Sequence, residues 1–177
     1  MKFLGGRTPM PTCRELMTRE PVCCEPNDAV TRVAELMKKE DVGSVPVVES
    51  LASRRLVGIV TDRDLVTKVV AGGRAVEHAT ARDAMTFNPA TCAEEDDISH
   101  AMLLMAQRQV RRMPVIDTQG RVTGIIAQAD VATRMEPAFD RSVKDIGQRF
   151  DKLTFKYTGP WPPYNFVNIR LKLERAH

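Results

Sequence analysis

Apolar positions along the chain fall into two periods that alternate. Val30, Val33, Ala34 and Met37 recur at i, i+3, i+4 and i+7, and Ile98, Ala101, Met102 and Met105 repeat the stripe. Each set predicts the buried face of an amphipathic helix. Asp28 and Asp96 stand just ahead of the stripes and are the expected helix caps. After each stripe come two β-branched runs that predict buried strands: Val45–Val48 and Val57–Val60, then Met113–Ile116 and Thr123–Ile126. A turn divides each pair, at Ser50–Arg55 or at Thr118-Gln119-Gly120. Val22–Cys24 and Ala90–Cys92 are shorter candidate strands ahead of the helices. Thr12 with Glu15, and Thr80 with Asp83, have the spacing of a capping box that opens a single helical turn. A final helix is expected over Asp62–Val70 and again over Gln128–Met135.

These elements form one unit, written twice. Leu16-Met17-Thr18-x-x-Pro21 matches Ala84-Met85-Thr86-x-x-Pro89 at an offset of 68 residues. The same offset relates Val42 to Val110 and Pro46-Val47-Val48 to Pro114-Val115-Ile116. At Gly58 and Gly124 the offset becomes 66, because the second copy has lost two residues from the preceding loop. Each copy reads β-α-β-β-α. A unit of roughly 60 residues buries too little apolar surface to be comfortable alone, so the two are expected to pack sheet to sheet and share a core. The predicted class is therefore α/β (α+β), with pseudo-symmetric repeats at 12–73 and 74–136, a loose arm at 1–11 and an extension at 137–177. In the extension, Ser142 and Asp145 suggest a capped helix. Lys152–Tyr157 and the clearly alternating Phe166–Leu173 suggest a β-hairpin around Gly-Pro-Trp-Pro-Pro.

Composition adds limits. The chain has 177 residues, 43% of them hydrophobic, enough for a real core. A net charge of +3 is mild, and no aromatic-plus-basic stripe lies outside the tail, so no nucleic-acid partner is expected. Neither a run of about 18 apolar residues nor a signal-peptide core is present, so a soluble cytoplasmic protein with no membrane partner is expected. Cys13, Cys23, Cys24 and Cys92 have no zinc-ligand spacing and read as small buried hydrophobes. No nucleophile–base set is suggested, so no enzyme, metal or required cofactor is expected.

The chemistry concentrates where the second strand of each copy ends. Leu56–Leu65 reads LVGIVTDRDL and Val122–Val131 reads VTGIIAQADV. A strand that ends in Thr61 and opens a helix would offer backbone N–H groups and a hydroxyl to phosphate, and Asp64 could accept hydrogen bonds from vicinal ribose hydroxyls. Thr-x-x-Asp is equally an ordinary capping box. The second copy keeps Asp130 but places Ala127 where the first has Thr61, so a cap alone does not account for the repeated carboxylate.

The ordered set MT-x-x-P, amphipathic helix, h-P-V-h-[DE], turn and G-h-h-[TS]-x-x-D, present twice between Thr12 and Met135, resembles the cystathionine β-synthase (CBS) domain in its tandem, Bateman arrangement. That resemblance implies a regulatory, signal-transducing pair that holds an adenine nucleotide (AMP, ADP or ATP) in the cleft between repeats. Carried over, Thr61 and Asp64 would hold phosphate and ribose, flanked by Thr86 and Thr91. A mirrored site would use Asp130, Ala127 and Arg112 with Thr18 and Cys23. Arg111-Arg112 match a position where the family often places a basic residue near phosphates. Unequal occupancy is expected, with Ala127 marking the weaker site. The family usually forms homodimers, and an effector protein would read the occupied state. Separately, Gly159–Val167, GPWPPYNFV, resembles the closing segment of F/L-type gas-vesicle accessory proteins. The alternative function is thus an assembly module acting through its C-terminal hairpin.

Overall fold

In the computed structural model, residues 10–134 are described. Of these, residues 10–130 belong to one compact unit, and a second begins at Val131. The first runs α1 (Cys13–Leu16), β1 (Thr18–Arg19), α2 (Val30–Lys39), β2 (Ser44–Val48), β3 (Leu56–Thr61) and α3 (Asp62–Asp64), which continues as a π-helix over Leu65–Val70. It goes on through α4 (Ala81–Ala84), β4 (Thr86–Phe87), β5 (Cys92–Ala93), α5 (Ile98–Arg108), β6 (Arg112–Ile116) and β7 (Val122–Ala127). Residues 128–134 are helical. The expected N-terminal arm (1–9 of it) and the expected C-terminal helix, hairpin and GPWPPYNFV segment lie outside the described residues.

The four β-branched runs form two antiparallel pairs, as their pattern predicts. Val45 faces Val60 in one, and Met113 faces Ile126 in the other. Both pairs carry a register shift at the equivalent place, between Val47 and Val48 and between Val115 and Ile116. The short strands complete the sheets by exchange. β1 pairs with β7 and β4 pairs with β3, so each copy's N-terminal limb finishes the other copy's sheet. The result is a four-stranded sheet, β1-β7-β6-β5, and a three-stranded sheet, β2-β3-β4.

Two motifs that looked separate in the sequence prove to be one contact. Met17 and Met85, which precede the exchanged strands, are buried. A Cβ on Gly58 would fall 2.7 Å from Met85 Sδ and 3.0 Å from the Thr86 carbonyl oxygen, and one on Gly124 would fall 2.3 Å from Met17 Sδ. Only glycine lets the exchanged limb approach this closely. The core beneath is shared accordingly, with Val33, Val45 and Val60 of the first copy packed with Ala81, Ala84 and Met85 of the second.

Several local expectations are corrected. Asp28 and Asp96 are not the helix caps; Ala29 and Asp97 hold those positions. Asp28 accepts from the Glu25 amide at 2.9 Å and Asp96 from the Ala93 amide at 2.8 Å, so both close the preceding turns. The first helical amides are instead satisfied by exchange. Val30 N donates to Ala79 O and Ile98 N to Pro11 O, each at 3.0 Å. In return, Ala81 N donates to Asp28 O and Cys13 N to Asp96 O, each at 2.8 Å. A single-copy reading cannot anticipate a cap lent by the other copy. Ala34 is exposed, so the buried stripe of α2 is Val30, Val33 and Met37. Of the expected strand Val22–Cys24, only Cys24 bridges to Val47. The helix expected over Asp62–Val70 widens into π geometry, with Ala71 N reaching back to Val66 O. Its β-branched Val66, Thr67, Val69 and Val70 fit poorly in tighter α turns. The capping boxes at Thr12/Glu15 and Thr80/Asp83 are present as read.

Candidate functional site

β3 ends at Thr61, and the turn into α3 brings Asp64 back over it. Asp64 Oδ2 accepts from the Thr61 amide at 2.9 Å and the Thr61 hydroxyl at 2.6 Å, while Asp64 N donates to Thr61 Oγ1 at 3.1 Å. This is the complete capping box. The other carboxylate oxygen, Oδ1, is paired with Lys68 Nζ at 2.9 Å. Lys68 Nζ also donates to Ala84 O at 2.8 Å and Thr86 Oγ1 at 3.2 Å. A polar relay, Thr61–Asp64–Lys68–Thr86, therefore joins the first copy's motif to the second copy's exchanged strand. Burial pulls the Asp64 carboxyl upward. The Lys68 ammonium and the Thr61 hydroxyl and amide outweigh that and hold it below its ordinary value.

The expectation of open backbone N–H groups for phosphate is not met. Asp62 N donates to Gly43 O at 3.2 Å, Arg63 N to its neighbour's Asp62 Oδ1 at 2.7 Å, and Thr61 N and Asp64 N are used in the box. Positive charge here comes from side chains. The guanidinium of Arg112 lies on Gly43: a Cβ there would be 2.9 Å from Arg112 Nη2 and 3.0 Å from Asp62 Oδ2. The neutral Gly43 of the first copy thus makes room for an arginine of the second. Although Arg112 is paired in register with Ala127, its head group sits beside the Thr61 motif, so the structure separates it from the mirrored set in which the sequence placed it.

Thr91 lies elsewhere. With Arg55, Leu56, Asn88, Ile116 and Thr118 it lines a depression of about 660 Å³ at the opposite end of β3 from Thr61. The Cys23 region, by contrast, is occupied by an arginine side chain. Arg54, held at φ 51°, donates through Nε to Val122 O at 3.0 Å and through Nη2 to Pro21 O at 3.1 Å. Cys23 is half-buried and donates to the same Pro21 carbonyl at 3.4 Å; burial pushes its thiol up, with Arg54 opposing. Cys24 is pushed up to about 12, mainly by burial, so neither thiol is drawn towards thiolate. Thr18 is exposed on β1, paired with Ile125. Asp130 is half-buried, and its carboxylate makes no hydrogen bond or ion pair among the described residues. Arg111 accepts from Gln128 N through its carbonyl at 3.0 Å.

The relay's central residue, Lys68, was missed in the sequence, although its spacing of four from Asp64 is that of a helical ion pair. The role of Arg54 as a plug depends on backbone conformation and has no sequence signature. Among the described residues, no group of three or more His, Cys, Asp or Glu side chains could hold a metal, and no helix is long and apolar enough to cross a membrane.

A duplicated α/β unit with exchanged N-terminal limbs and a polar relay across the join defines a class of paired modules. The family model for the CBS domain matches residues 13–71 and again residues 81–136, and the chain belongs to that family as a tandem pair. It is 34% identical over 142 residues to hypoxic response protein 1 of Mycobacterium tuberculosis, spanning 77% of this chain and 94% of that protein. The crystal structure of CBSX2 in complex with AMP is similar with a TM-score of 0.63 at 23% identity, covering 71% of this chain and 97% of that one. The CBS domain pair of protein MJ0100 in complex with 5′-methylthioadenosine and S-adenosyl-L-methionine gives a TM-score of 0.64 at 22% identity, covering 73% and 99%. Both structural likenesses are of fold. The gas-vesicle likeness of the C-terminal segment finds no counterpart in these matches.

Proposed function

We propose that this CBS pair is a non-catalytic regulatory module that binds an adenosyl ligand, AMP, ADP or ATP, at the Thr61 half of the cleft. Asp64 would accept the ribose hydroxyls, Thr86 would flank them, and Arg112 would face the phosphate. The observation that carries this reading is the Thr61–Asp64–Lys68–Thr86 relay, which puts the motif carboxylate where the two repeats of the chain meet. A ligand that rearranged it would act on both copies at once. A difference in affinity between two arrangements of that join is all that a switch requires. The AMP bound to CBSX2 and the adenosyl compounds bound to the MJ0100 pair support an adenosyl ligand for this cleft.

Isothermal titration of the wild-type chain, Asp64→Ala and Asp64→Asn with AMP, ADP, ATP, NADH and S-adenosylmethionine tests it. Binding of at least one adenine nucleotide by wild type is expected, weakened roughly tenfold or more in both variants, as for loss of charge-assisted hydrogen bonds. Melting curves confirm that the variants fold. No binding by wild type, or equal binding by folded variants, overturns the proposal.

A further inference from the structure

Lys68 occupies the one carboxylate oxygen that a ribose could use. Asp64 Oδ2 is consumed inside the capping box, by both the amide and the hydroxyl of Thr61. Oδ1 is the outward oxygen, and the Lys68 ammonium sits on it at 2.9 Å. An ammonium has three protons, and Ala84 O and Thr86 Oγ1 take the other two directions. All three protons of this cation are therefore engaged. Oδ1 has two acceptor positions and Lys68 holds one of them, so a diol that donates both hydroxyls to Oδ1 shifts the ammonium off its only anionic partner among the described residues.

From this we infer that Lys68 is a specificity-determining residue that makes the site select phosphorylated adenosyl ligands over uncharged or cationic ones. The inference rests on the adenosyl reading above. Every adenosyl compound offers the same diol to Asp64, so the diol does not discriminate. What differs is the compensation offered to the displaced ammonium. Its four-carbon stem lets it swing, and a 5′-phosphate supplies a new anionic partner. 5′-Methylthioadenosine supplies none, and the sulfonium of S-adenosylmethionine adds a like charge. The Arg112 guanidinium beside Gly43 biases the same region in the same direction.

The test is titration of the full chain with AMP and with 5′-methylthioadenosine, for wild type, Lys68→Met, Lys68→Arg and Asp64→Ala. Lys68→Gln provides a second neutral variant should Lys68→Met fail to melt cooperatively. Wild type is expected to favour AMP by roughly tenfold or more, and the neutral variants to bring the two ligands within about threefold. Part of that change comes from tighter binding of 5′-methylthioadenosine, which a merely structural role for Lys68 would not produce. Lys68→Arg restores the preference. A wild type indifferent between the ligands, or an unchanged ratio in the neutral variants while Asp64→Ala weakens both ligands, overturns the Lys68 inference and leaves the adenosyl reading standing. Binding of both ligands by Asp64→Ala as by wild type, or of neither by wild type, overturns the adenosyl reading and this inference with it.

Discussion

The first copy's Thr61 half and the second copy's Ala127 half began as the same sequence and now differ in what holds their carboxylates. Asp64 is fixed by a hydroxyl, an amide and an ammonium. Asp130 follows Ala127, which has no hydroxyl to give, and its carboxylate makes no hydrogen bond or ion pair among the described residues. The turns that lead into β3 and β7 diverge as well. The longer one carries Arg54, which reaches Pro21 and Val122 and fills the Cys23 side. The shorter one turns at Gly120, with φ 75°, and leaves a depression beside Thr91. Duplication kept the scaffold equal while the polar groups on it were free to specialise.

The scaffold's equality can be broken first, and with the largest effect. Met17 and Met85 each pack on a glycine of the other copy's strand, and both are buried. Met85→Ala and Met17→Ala should each cost about 2–5 kcal/mol, the usual range for emptying a buried methionine site. Urea unfolding is the measurement. If the exchange is symmetric in energy as in geometry, the two values agree to about 1 kcal/mol, within the scatter expected of such sites. A loss confined to one variant would mean that only one limb contributes to the shared core.

The polar halves should respond unequally, with a smaller effect. Asp64→Ala removes the N3 acceptor of the capping box and the anionic partner of Lys68, at a cost of about 1–3 kcal/mol. Asp130→Ala should stay within about 0.5 kcal/mol, because its carboxylate makes no hydrogen bond or ion pair to lose among the described residues. Acidity sharpens the contrast. Burial opposes ionisation of Asp64, but Lys68 and Thr61 prevail and hold its folded-state value below that of an ordinary carboxylate. Its contribution is therefore complete above that value and is lost as pH falls through the folded value. Wild type and Asp130→Ala should lose this increment on acidification below about pH 4, whereas Asp64→Asn should lack it throughout. Parallel acid profiles for wild type and Asp64→Asn would show that the relay adds nothing to folding.

Much of this was legible in the sequence because it repeats. The β-branched runs gave strands correct to within a residue or two, and the Thr-x-x-Asp spacing gave the capping box that forms at Thr61. What residue spacing could not show was the detail of how one copy contacts the other. The caps borrowed from Ala79 and Pro11, the strand exchange behind Met-Thr-x-x-Pro, and Arg112 lying on Gly43 all depend on how the copies meet. Sequence spacing describes neighbours on one element and is silent about neighbours across a join. The resemblance to CBS pairs set Thr86 and Thr91, five residues apart, as flanking one site. Thr86 meets Lys68, whereas the antiparallel run of β4 carries the chain away from Thr61 towards the depression that Thr91 lines.

Arg54 offers the smallest and most selective test of the difference between halves. Its side chain donates from a left-handed backbone position to the Pro21 carbonyl of its own copy and the Val122 carbonyl of the other, and both can be hydrated if it leaves. Arg54→Gln keeps a polar side chain but is too short to span both acceptors. It should therefore cost only about 0.5–1.5 kcal/mol, the net value of ordinary hydrogen bonds replaced by water. Its clearer signature is local. Cys23 donates to the same Pro21 carbonyl, and burial holds its thiol up. Opening that side to water should raise the rate at which Cys23 reacts with a thiol reagent, while the buried Cys13, Cys24 and Cys92 stay protected. Mass spectrometry of timed labelling, followed by peptide mapping, reads each cysteine separately. Unchanged Cys23 labelling would mean that the arginine does not close this half, and that the asymmetry between the two sides rests on the Thr61 and Ala127 positions alone.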